Sequence, residues 1–129
     1  MPDYLDTSAF IKLVRSEPES GALRAELASG DALVSSILLA VEGRRAAARY
    51  GSAALTRARA ALATITLLPI DDATIEAATA LDPPELRSLD ALHLAAALSL
   101  AGDLGRLYCY DDRLSAAAGA LGLDVRKPN

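Results

Sequence analysis

Aromatic side chains are scarce in this sequence, which has no Trp, one Phe and four Tyr among its 129 residues. Hydrophobic residues nevertheless make up 52% of the chain, so the core must consist mainly of Ala, Leu, Val and Ile. Such a composition favours closely packed helices. Because this length is sufficient to bury one hydrophobic core, we predict a single domain over residues 1–129.

Features of secreted and membrane proteins are also missing. Cys109 is the only cysteine, which excludes an intrachain disulfide and favours a reducing compartment. No basic and then apolar leader follows Met1. The most apolar helical stretch, residues 91–101, contains His93 and Ser99 and is shorter than the roughly 20 residues that a bilayer requires. The sequence therefore predicts a soluble, cytoplasmic protein, with Cys109 buried in a strand and unreactive.

Short strand-like runs alternate with stretches of helical spacing along the whole chain. The predicted strands lie at residues 4–5, 31–36, 65–70, 106–110 and around 125. Helices are predicted between them, ending near 14, 30, 50, 63, 81, 101 and 119. This alternation predicts an α/β fold in which a parallel sheet is covered by helices on both faces.

Four carboxylates stand out against this pattern. Asp6 and Asp111 each follow a predicted strand, Asp90 lies in the first turn of the most apolar helix, and Glu42 lies in mid-helix, where no cap is needed. Open α/β sheets bind ligands at the carboxyl ends of their strands. Acids gathered there would repel one another unless a divalent cation neutralised them, and hard oxygen ligands favour Mg²⁺ or Mn²⁺.

Each of these acids also has a purely structural interpretation. Asp6 and Asp111 would serve as helix N-caps. Asp90 would interact with the helix dipole, a contribution of about 0.3–1 kcal/mol. Glu42 would form an ion pair with Arg45, three residues later on the same helix.

The remaining polar residues exclude several other kinds of site. The single histidine, His93, lies three residues after Asp90 among Leu and Ala. We interpret it as a core residue or a support for the site, because a lone histidine in such surroundings is seldom a ligand. The sequence has no Cys/His zinc spacing, no Gly-rich phosphate loop and no Ser nucleophile with a base partner.

The distribution of charge is uneven although the formal net charge is only −4. Residues 43–70 contain no acid and hold five arginines, Arg44, Arg45, Arg49, Arg57 and Arg59. The rest of the chain has eight basic residues against 17 acids. This basic segment is either a solvated helix face or a contact for a nucleic-acid backbone.

Four motifs occur in an order that carries a family resemblance. They are LDTSA at 5–9, VSS at 34–36 with Glu42 seven positions after Ser35, RSLDALHLA at 87–95 and YDDRL at 110–114. Together they resemble the PIN-domain ribonucleases of the VapC type, the toxins of bacterial toxin–antitoxin pairs. The likeness spans essentially the whole chain and includes residues 12–15, 17–20 and 120–123.

The resemblance implies a three-layer α/β/α sandwich with a short central parallel sheet. It also implies a Mg²⁺- or Mn²⁺-dependent endoribonuclease, in which a metal-activated water attacks the phosphodiester, with a VapB-type antitoxin as partner and a homodimeric state. By position, the acidic catalytic and metal site would consist of Asp6, Glu42, Asp90 and Asp111, with Asp112, Thr7 and Ser8 as additional contributors. The arginines of residues 43–70 would then contact RNA.

One residue departs from the family pattern. Two positions before the last acid the family commonly has Thr, where this chain has Cys109. The change affects a supporting hydrogen bond and leaves the carboxylates in place.

Two other functions fit part of the pattern. A receiver-type signalling domain also has alternating α/β units and a Mg²⁺ pocket, and Asp71, Asp72 and Lys127 each follow a predicted strand. A receiver would need two adjacent acids after the first strand, and it would leave Glu42 unexplained. A PIN-like module that binds RNA or a partner without cutting is the other alternative, although four acids without a metal would repel one another.

Overall fold

Short strands alternate with helices from one end of the chain to the other in the computed structural model, which describes residues 1–129. The strands are β1 (Asp3–Leu5), β2 (Leu33–Ser36), β3 (Ile65–Leu68), β4 (Arg106–Tyr108) and β5 (Asp124–Arg126). The helices are α1 (Thr7–Val14), α2 (Ser20–Ala28), α3 (Leu38–Ala48), α4 (Ser52–Leu62), α5 (Asp72–Thr79), α6 (Ser88–Leu98) and α7 (Asp112–Ala120). A 3-10 helix, Ala101–Asp103, follows α6.

All five strands run parallel in one sheet with the order β3-β2-β1-β4-β5. The chain builds the sheet outward from β1 through β2 to β3, and then crosses to the other side of β1 to add β4 and β5. The strand order therefore reverses between β1 and β4, where Tyr4 pairs with Leu107 and Leu5 with Tyr108. In open α/β sheets the ligand crevice lies at such a reversal, beyond the carboxyl ends of the strands.

Helices cover both faces of the sheet, which confirms the predicted three-layer α/β/α fold. Side chains alternate along a strand, so Leu5 and Tyr108 pack into one hydrophobic cluster with α1 to α4. Tyr4 and Leu107 point to the opposite face, into a cluster with α6 and α7. Each layer thus has its own apolar core against the central sheet.

The contact between α1 and α3 is unusually close. A Cβ atom added to Gly43 would lie 2.8 Å from Cε2 of Phe10, the only phenylalanine of the chain. Gly43 therefore lets the Phe10 ring pack directly on the backbone of α3. This approach brings Glu42, the neighbour of Gly43, close to the first turn of α1.

Some predicted element boundaries are wrong. The strand predicted over residues 106–110 ends at Tyr108, because the Tyr110 N–H donates to the Ser8 hydroxyl at 2.8 Å instead of continuing the ladder. Cys109 therefore lies just beyond β4, although it is fully buried as predicted. Near the C-terminus, Gly119 lies inside α7, and the helix ends before Gly122, whose φ of +83° suits glycine.

The most apolar helix is shorter than its sequence predicts. It ends at Leu98, where the prediction extends it to Ala101. Ala101 has a positive φ of 45° and begins the 3-10 helix, which contains Gly102. None of the helices has both the length and the apolar character needed to cross a membrane.

Candidate active site

Asp6 lies between β1 and α1, at the carboxyl end of the central strand. Its Oδ1 accepts a hydrogen bond from the Ala9 N–H at 2.9 Å, so it is the N-cap of α1. The Ser8 hydroxyl lies 2.7 and 2.9 Å from its two oxygens. Burial raises the pKa of Asp6, and hydrogen bonds from Ser8, Ala9 and Cys109 act in the opposite direction.

Hydrogen bonding leaves Asp6 with spare capacity. An ionised carboxylate offers about four lone-pair sites. Ser8 has one hydroxyl proton, which can serve only one of the two Asp6 oxygens at a time. One acceptor position of this buried side chain therefore remains for a further ligand, even though the carboxylate also caps the helix. The capping and site interpretations of Asp6 are compatible.

Cys109 supplies a hydrogen bond to Asp6. Its Sγ donates to Asp6 Oδ2 at 3.1 Å, and the residue is fully buried. Burial, followed by the negative charge of Asp6, raises the pKa of the Cys109 thiol to about 12. The side chain therefore remains a thiol at neutral pH and acts as a hydrogen-bond donor to Asp6.

Glu42 lies in the second turn of α3 and faces His93. Its Oε1 accepts hydrogen bonds from His93 Nε2 at 2.7 Å and from the Thr7 hydroxyl at 3.0 Å. Burial alone would raise the pKa of Glu42, but the hydrogen bond and charge of His93, together with Thr7, lower it below its ordinary value. Arg45 is exposed and forms no ion pair, so the predicted Glu42–Arg45 pairing is wrong.

Asp90 lies in the first turn of α6 and accepts no hydrogen bond from the protein. Burial raises its pKa, and the charge of Asp111 is the next cause. The charges of Asp6 and Glu42 raise it further, while His93 opposes them. The structure therefore brings the four predicted acids into one electrostatic environment.

The two acids that open α7 differ in their surroundings. Asp111 is the N-cap of α7, and its Oδ1 accepts from the Leu114 N–H at 2.8 Å. The side chain of Asp112 is 97% exposed and pairs with Lys127 at 3.0 Å. Asp111 is therefore the acid that is coupled to Asp90, because its charge is the one that raises the Asp90 pKa.

A polar cleft of about 330 Å³ lies between the beginnings of α6 and α7. Five charged residues line it, Arg87, Asp90, Asp111, Asp112 and Arg113. The first turns of both helices border this cleft. Because a helix N-terminus carries partial positive charge, the two helix starts offset part of the negative charge of the three carboxylates in this cleft.

The donor set suits a hard divalent cation, but the side chains do not form a closed coordination shell. No three Asp, Glu, His or Cys side chains surround a common point as metal ligands. Oxygens without a protein hydrogen bond remain on Asp90, on Glu42 (Oε2) and on Asp111 (Oδ2). These carboxylate oxygens have the chemistry that Mg²⁺ and Mn²⁺ prefer, so the residues fit the implied metal in kind.

The predicted RNA-binding arginines divide into two groups. All five are exposed and form no ion pair, and four of them also make no side-chain hydrogen bond, Arg44, Arg45, Arg49 and Arg59. Arg57 differs, because its Nε donates to the Val14 carbonyl at 2.9 Å. It therefore satisfies a backbone acceptor at the C-terminal end of α1, a structural role that the sequence did not indicate.

Sequence reasoning also missed a residue next to the site. The hydroxyl of Tyr4, a fully buried strand residue, lies 2.8 Å from Nδ1 of His93. The two residues are 89 positions apart, and no local pattern connects them. The only signal was the occurrence of a single histidine on an apolar helix face, which favours a buried hydrogen-bonding role.

Comparisons with known proteins agree with this architecture. The PIN domain family matches residues 4–120. Ribonuclease VapC46 of Mycobacterium tuberculosis is 48% identical over 126 residues, which cover 98% of this chain and 97% of that protein. The chain belongs to the PIN-domain family, in its VapC group. Ribonuclease VapC47 of the same species is 40% identical, over 97% of this chain and 96% of that protein.

Solved structures share the fold of this VapC-type chain. The sarcin-ricin loop cleaving toxin VapC20 of Mycobacterium tuberculosis aligns with a TM-score of 0.74 at 21% identity, covering 91% of this chain and 95% of that one. A toxin–antitoxin complex from Klebsiella pneumoniae aligns with a TM-score of 0.75 at 26% identity, covering 98% of both chains. At 21% identity, the likeness to VapC20 concerns the fold alone.

The receiver-type alternative is wrong. Receiver domains have the strand order 2-1-3-4-5, whereas this sheet has the order β3-β2-β1-β4-β5. Asp71 and Asp72 follow β3, which is the edge strand farthest from Asp111. Lys127 pairs with the exposed Asp112 and not with a buried acid pocket.

Proposed function

We propose that this VapC-type chain is a Mg²⁺- or Mn²⁺-dependent endoribonuclease toxin in which Asp6, Glu42, Asp90 and Asp111 hold the metal. The observation that carries the proposal is the surroundings of the Asp90 carboxylate. Its carboxylate has no hydrogen-bond donor, and three further acids act on it at the point where the strand order reverses. A divalent cation would neutralise this excess of negative charge.

The bound metal would supply an activated water for attack on the phosphodiester and would offset charge on the departing oxygen. The protein supplies the orientation of the ligands. Ser8, Cys109 and the Ala9 N–H hold Asp6, and Thr7 and His93 hold Glu42 in its ionised form. In this scheme Thr7 and Ser8 support the carboxylates by hydrogen bonding and are not themselves ligands. No side-chain nucleophile is required.

The exposed arginines of α3 and α4 would contact the RNA backbone. This surface begins two residues after Glu42, so a strand that enters the site would pass the first of its arginines. Four side chains are available for phosphate contacts, Arg44, Arg45, Arg49 and Arg59. Such contacts would contribute affinity without sequence specificity.

The toxin assignment implies a partner and a setting. We propose that a VapB-type antitoxin inhibits the enzyme, that the enzyme acts in the cytoplasm, and that it forms a homodimer. The support comes from the VapC names of its relatives and from the likeness to the Klebsiella toxin–antitoxin complex. Co-purification of the chain from its native operon would identify the antitoxin.

A cleavage assay tests the proposed activity. A pool of labelled bacterial RNA is incubated with purified protein in Mg²⁺, in Mn²⁺ or in excess chelator. We expect fragments with either metal and none with chelator. Asp90→Asn should abolish cleavage, whereas Asp72→Asn, which changes the equivalent first-turn acid of α5, should leave it intact. RNA binding without cleavage under all conditions would favour the non-cleaving PIN-like module instead.

A further inference from the structure

His93 connects a buried tyrosine to one of the proposed metal ligands. The residue is 2% exposed, and its ring lies nearly perpendicular to the Tyr4 ring, with the ring centroids 5.9 Å apart. Nδ1 lies 2.8 Å from the Tyr4 hydroxyl, and Nε2 lies 2.7 Å from Glu42 Oε1. Both nitrogens of the only histidine are therefore engaged in the protein interior.

The protons available on Tyr4, His93 and Glu42 determine which group donates and which accepts in each of the two hydrogen bonds. An ionised carboxylate only accepts hydrogen bonds, and a neutral imidazole has one donor and one acceptor nitrogen. A tyrosine hydroxyl, which keeps its proton at neutral pH, can donate it. The arrangement that satisfies all three groups has Tyr4 O–H donating to Nδ1 and Nε2–H donating to Glu42 Oε1.

Only one of the two carboxylate oxygens of Glu42 accepts hydrogen bonds from the protein. The Thr7 hydroxyl donates to the same Oε1 at 3.0 Å and lies 3.3 Å from His93 Nε2. Oε2 receives no hydrogen bond from the protein. Glu42 has a flexible side chain in mid-helix with 24% of its surface exposed, so these contacts select one orientation from several.

We propose that Tyr4 and His93 are positioning residues, which lock the histidine as the Nε2–H tautomer and present Oε2 of Glu42 to the metal. This inference rests on the proposed function, because it assigns the orientation of one of its ligands. Hydrogen bonds that orient metal ligands typically change metal affinity by 10–100-fold when they are removed. A histidine that only filled the core would have no such effect.

Nuclear magnetic resonance can report the tautomer directly because the chain has a single histidine. We expect the ¹⁵N shifts and couplings of His93 in the metal-free protein, above about pH 8, to be those of the Nε2–H form. Tyr4→Phe, which removes only the hydroxyl, should increase the population of the Nδ1–H form. A wild-type protein with Nδ1–H, or with a doubly protonated ring at that pH, would overturn the proposed direction of the hydrogen bonds.

Two substitutions at position 93 separate positioning from packing. Glutamine places its amide near the position of the imidazole Nε2, whereas asparagine reaches only as far as Nδ1. We expect His93→Asn to weaken Mn²⁺ binding, measured by calorimetry, by about 10–100-fold. His93→Gln should retain affinity within a few-fold, because it keeps the donor to Glu42. If His93→Asn does not fold, Tyr4→Phe replaces it and should also weaken Mn²⁺ binding.

Glu42→Gln serves as the reference for the proposed function. If it weakens Mn²⁺ binding while the His93→Asn and Tyr4→Phe variants bind as the wild type does, the positioning inference is overturned and the metal site stands. If both Glu42→Gln and Asp90→Asn bind Mn²⁺ like the wild type, the proposed metal site is wrong. The positioning inference is then overturned with it. Equal losses for the glutamine and asparagine variants of His93 would indicate packing and would overturn the inference alone.

Discussion

Cys109 donates a hydrogen bond from its buried thiol to Asp6, with 3.1 Å between Sγ and Oδ2. Asp6 receives hydrogen bonds on both of its oxygens, and Cys109 is the donor that comes from outside the first turn of α1. A thiol is a weaker donor than a hydroxyl. Cys109 therefore supports the central acid less strongly than a threonine in that place would.

Substitution of Cys109 should change the properties of Asp6 in a graded way. Cys109→Thr should strengthen the hydrogen bond, lower the pKa of Asp6 and increase Mn²⁺ affinity. Cys109→Val has nearly the same shape but no donor, and it should lower the stability of the folded protein by about 1–3 kcal/mol. Chemical denaturation and calorimetric titration measure these effects. Identical metal affinities for the threonine and valine variants would show that the contact does not influence the site.

Removing the charge of Asp90 should stabilise the metal-free protein. The pKa of Asp90 is raised in the folded state, so folding favours its protonated form. Its ionisation therefore destabilises the fold as the pH rises through the ordinary carboxyl range, and the effect is complete above the raised pKa. At pH 7.5 without metal, we expect Asp90→Asn to increase Tm by about 1–4 °C, since about 1 kcal/mol corresponds to roughly 4 °C.

Two further observations check this explanation. Near pH 3.5 the advantage of Asp90→Asn should shrink, because the raised pKa leaves most of the wild-type carboxyl protonated in the folded state. The increase in Tm on addition of Mg²⁺ should be smaller in the variant, since binding to the folded state alone raises stability. A Mg²⁺ effect as large as that of the wild type, in both this variant and Glu42→Gln, would show that the two acids do not share a cation.

The adjacent acids of α7 should differ sharply in their effect on cleavage. Asp111→Asn keeps an N-cap but removes the charge that acts on Asp90, so we expect it to abolish RNA cleavage. Asp112→Asn removes only an exposed carboxylate and its pairing with Lys127. It should cleave at a rate close to wild type. The opposite ranking in a single-turnover assay would assign the fourth acid to Asp112.

Charge reversal of Arg45 and Arg49 should weaken RNA binding and flatten its dependence on salt. Each lost phosphate contact lowers the slope of log affinity against log salt by about 0.7 for a single strand. Charge reversal of Arg24 and Arg126, which lie outside this segment, changes the net charge by the same amount. It should reduce the salt slope of RNA binding less than reversal of Arg45 and Arg49 does. Binding measured between low and moderate salt provides the comparison. Equal slopes for both double variants would show that the segment is a solvated face or serves the antitoxin.

The predictable features of this protein are those encoded locally. Asp6 was identified because the chain changes from strand to helix spacing at that residue, and it does cap α1. The alternation of strands and helices predicted a parallel sheet with helices on both faces. The adjacency of β1 and β4, which brings Asp6 and Asp111 together, depends on strand order, and local patterns do not determine it.

The features that could not be predicted depend on contacts between distant residues. The partner of Glu42 is His93, 51 positions away, and not Arg45 on the same helix. The close packing of Gly43 on Phe10 brings Glu42 near the first turn of α1, where Thr7 and His93 are within reach. Arg57 likewise binds a carbonyl group 43 positions earlier. Spacing on one helix identifies possible neighbours, but the tertiary fold selects among them.

The central claim is that a charged Asp6 holds a cation that is required for RNA cleavage. The most direct measurement is the rate of Mn²⁺-dependent cleavage by Asp6→Asn, compared at equal Mn²⁺ with Asp71→Asn. Asp71 caps α5 through the Thr74 N–H at 2.8 Å, as Asp6 caps α1, so the pair controls for the loss of a capping carboxylate. We expect Asp6→Asn to fold with its helix cap intact and to lose cleavage, while Asp71→Asn cleaves like the wild type. Full activity of folded Asp6→Asn would contradict the claim.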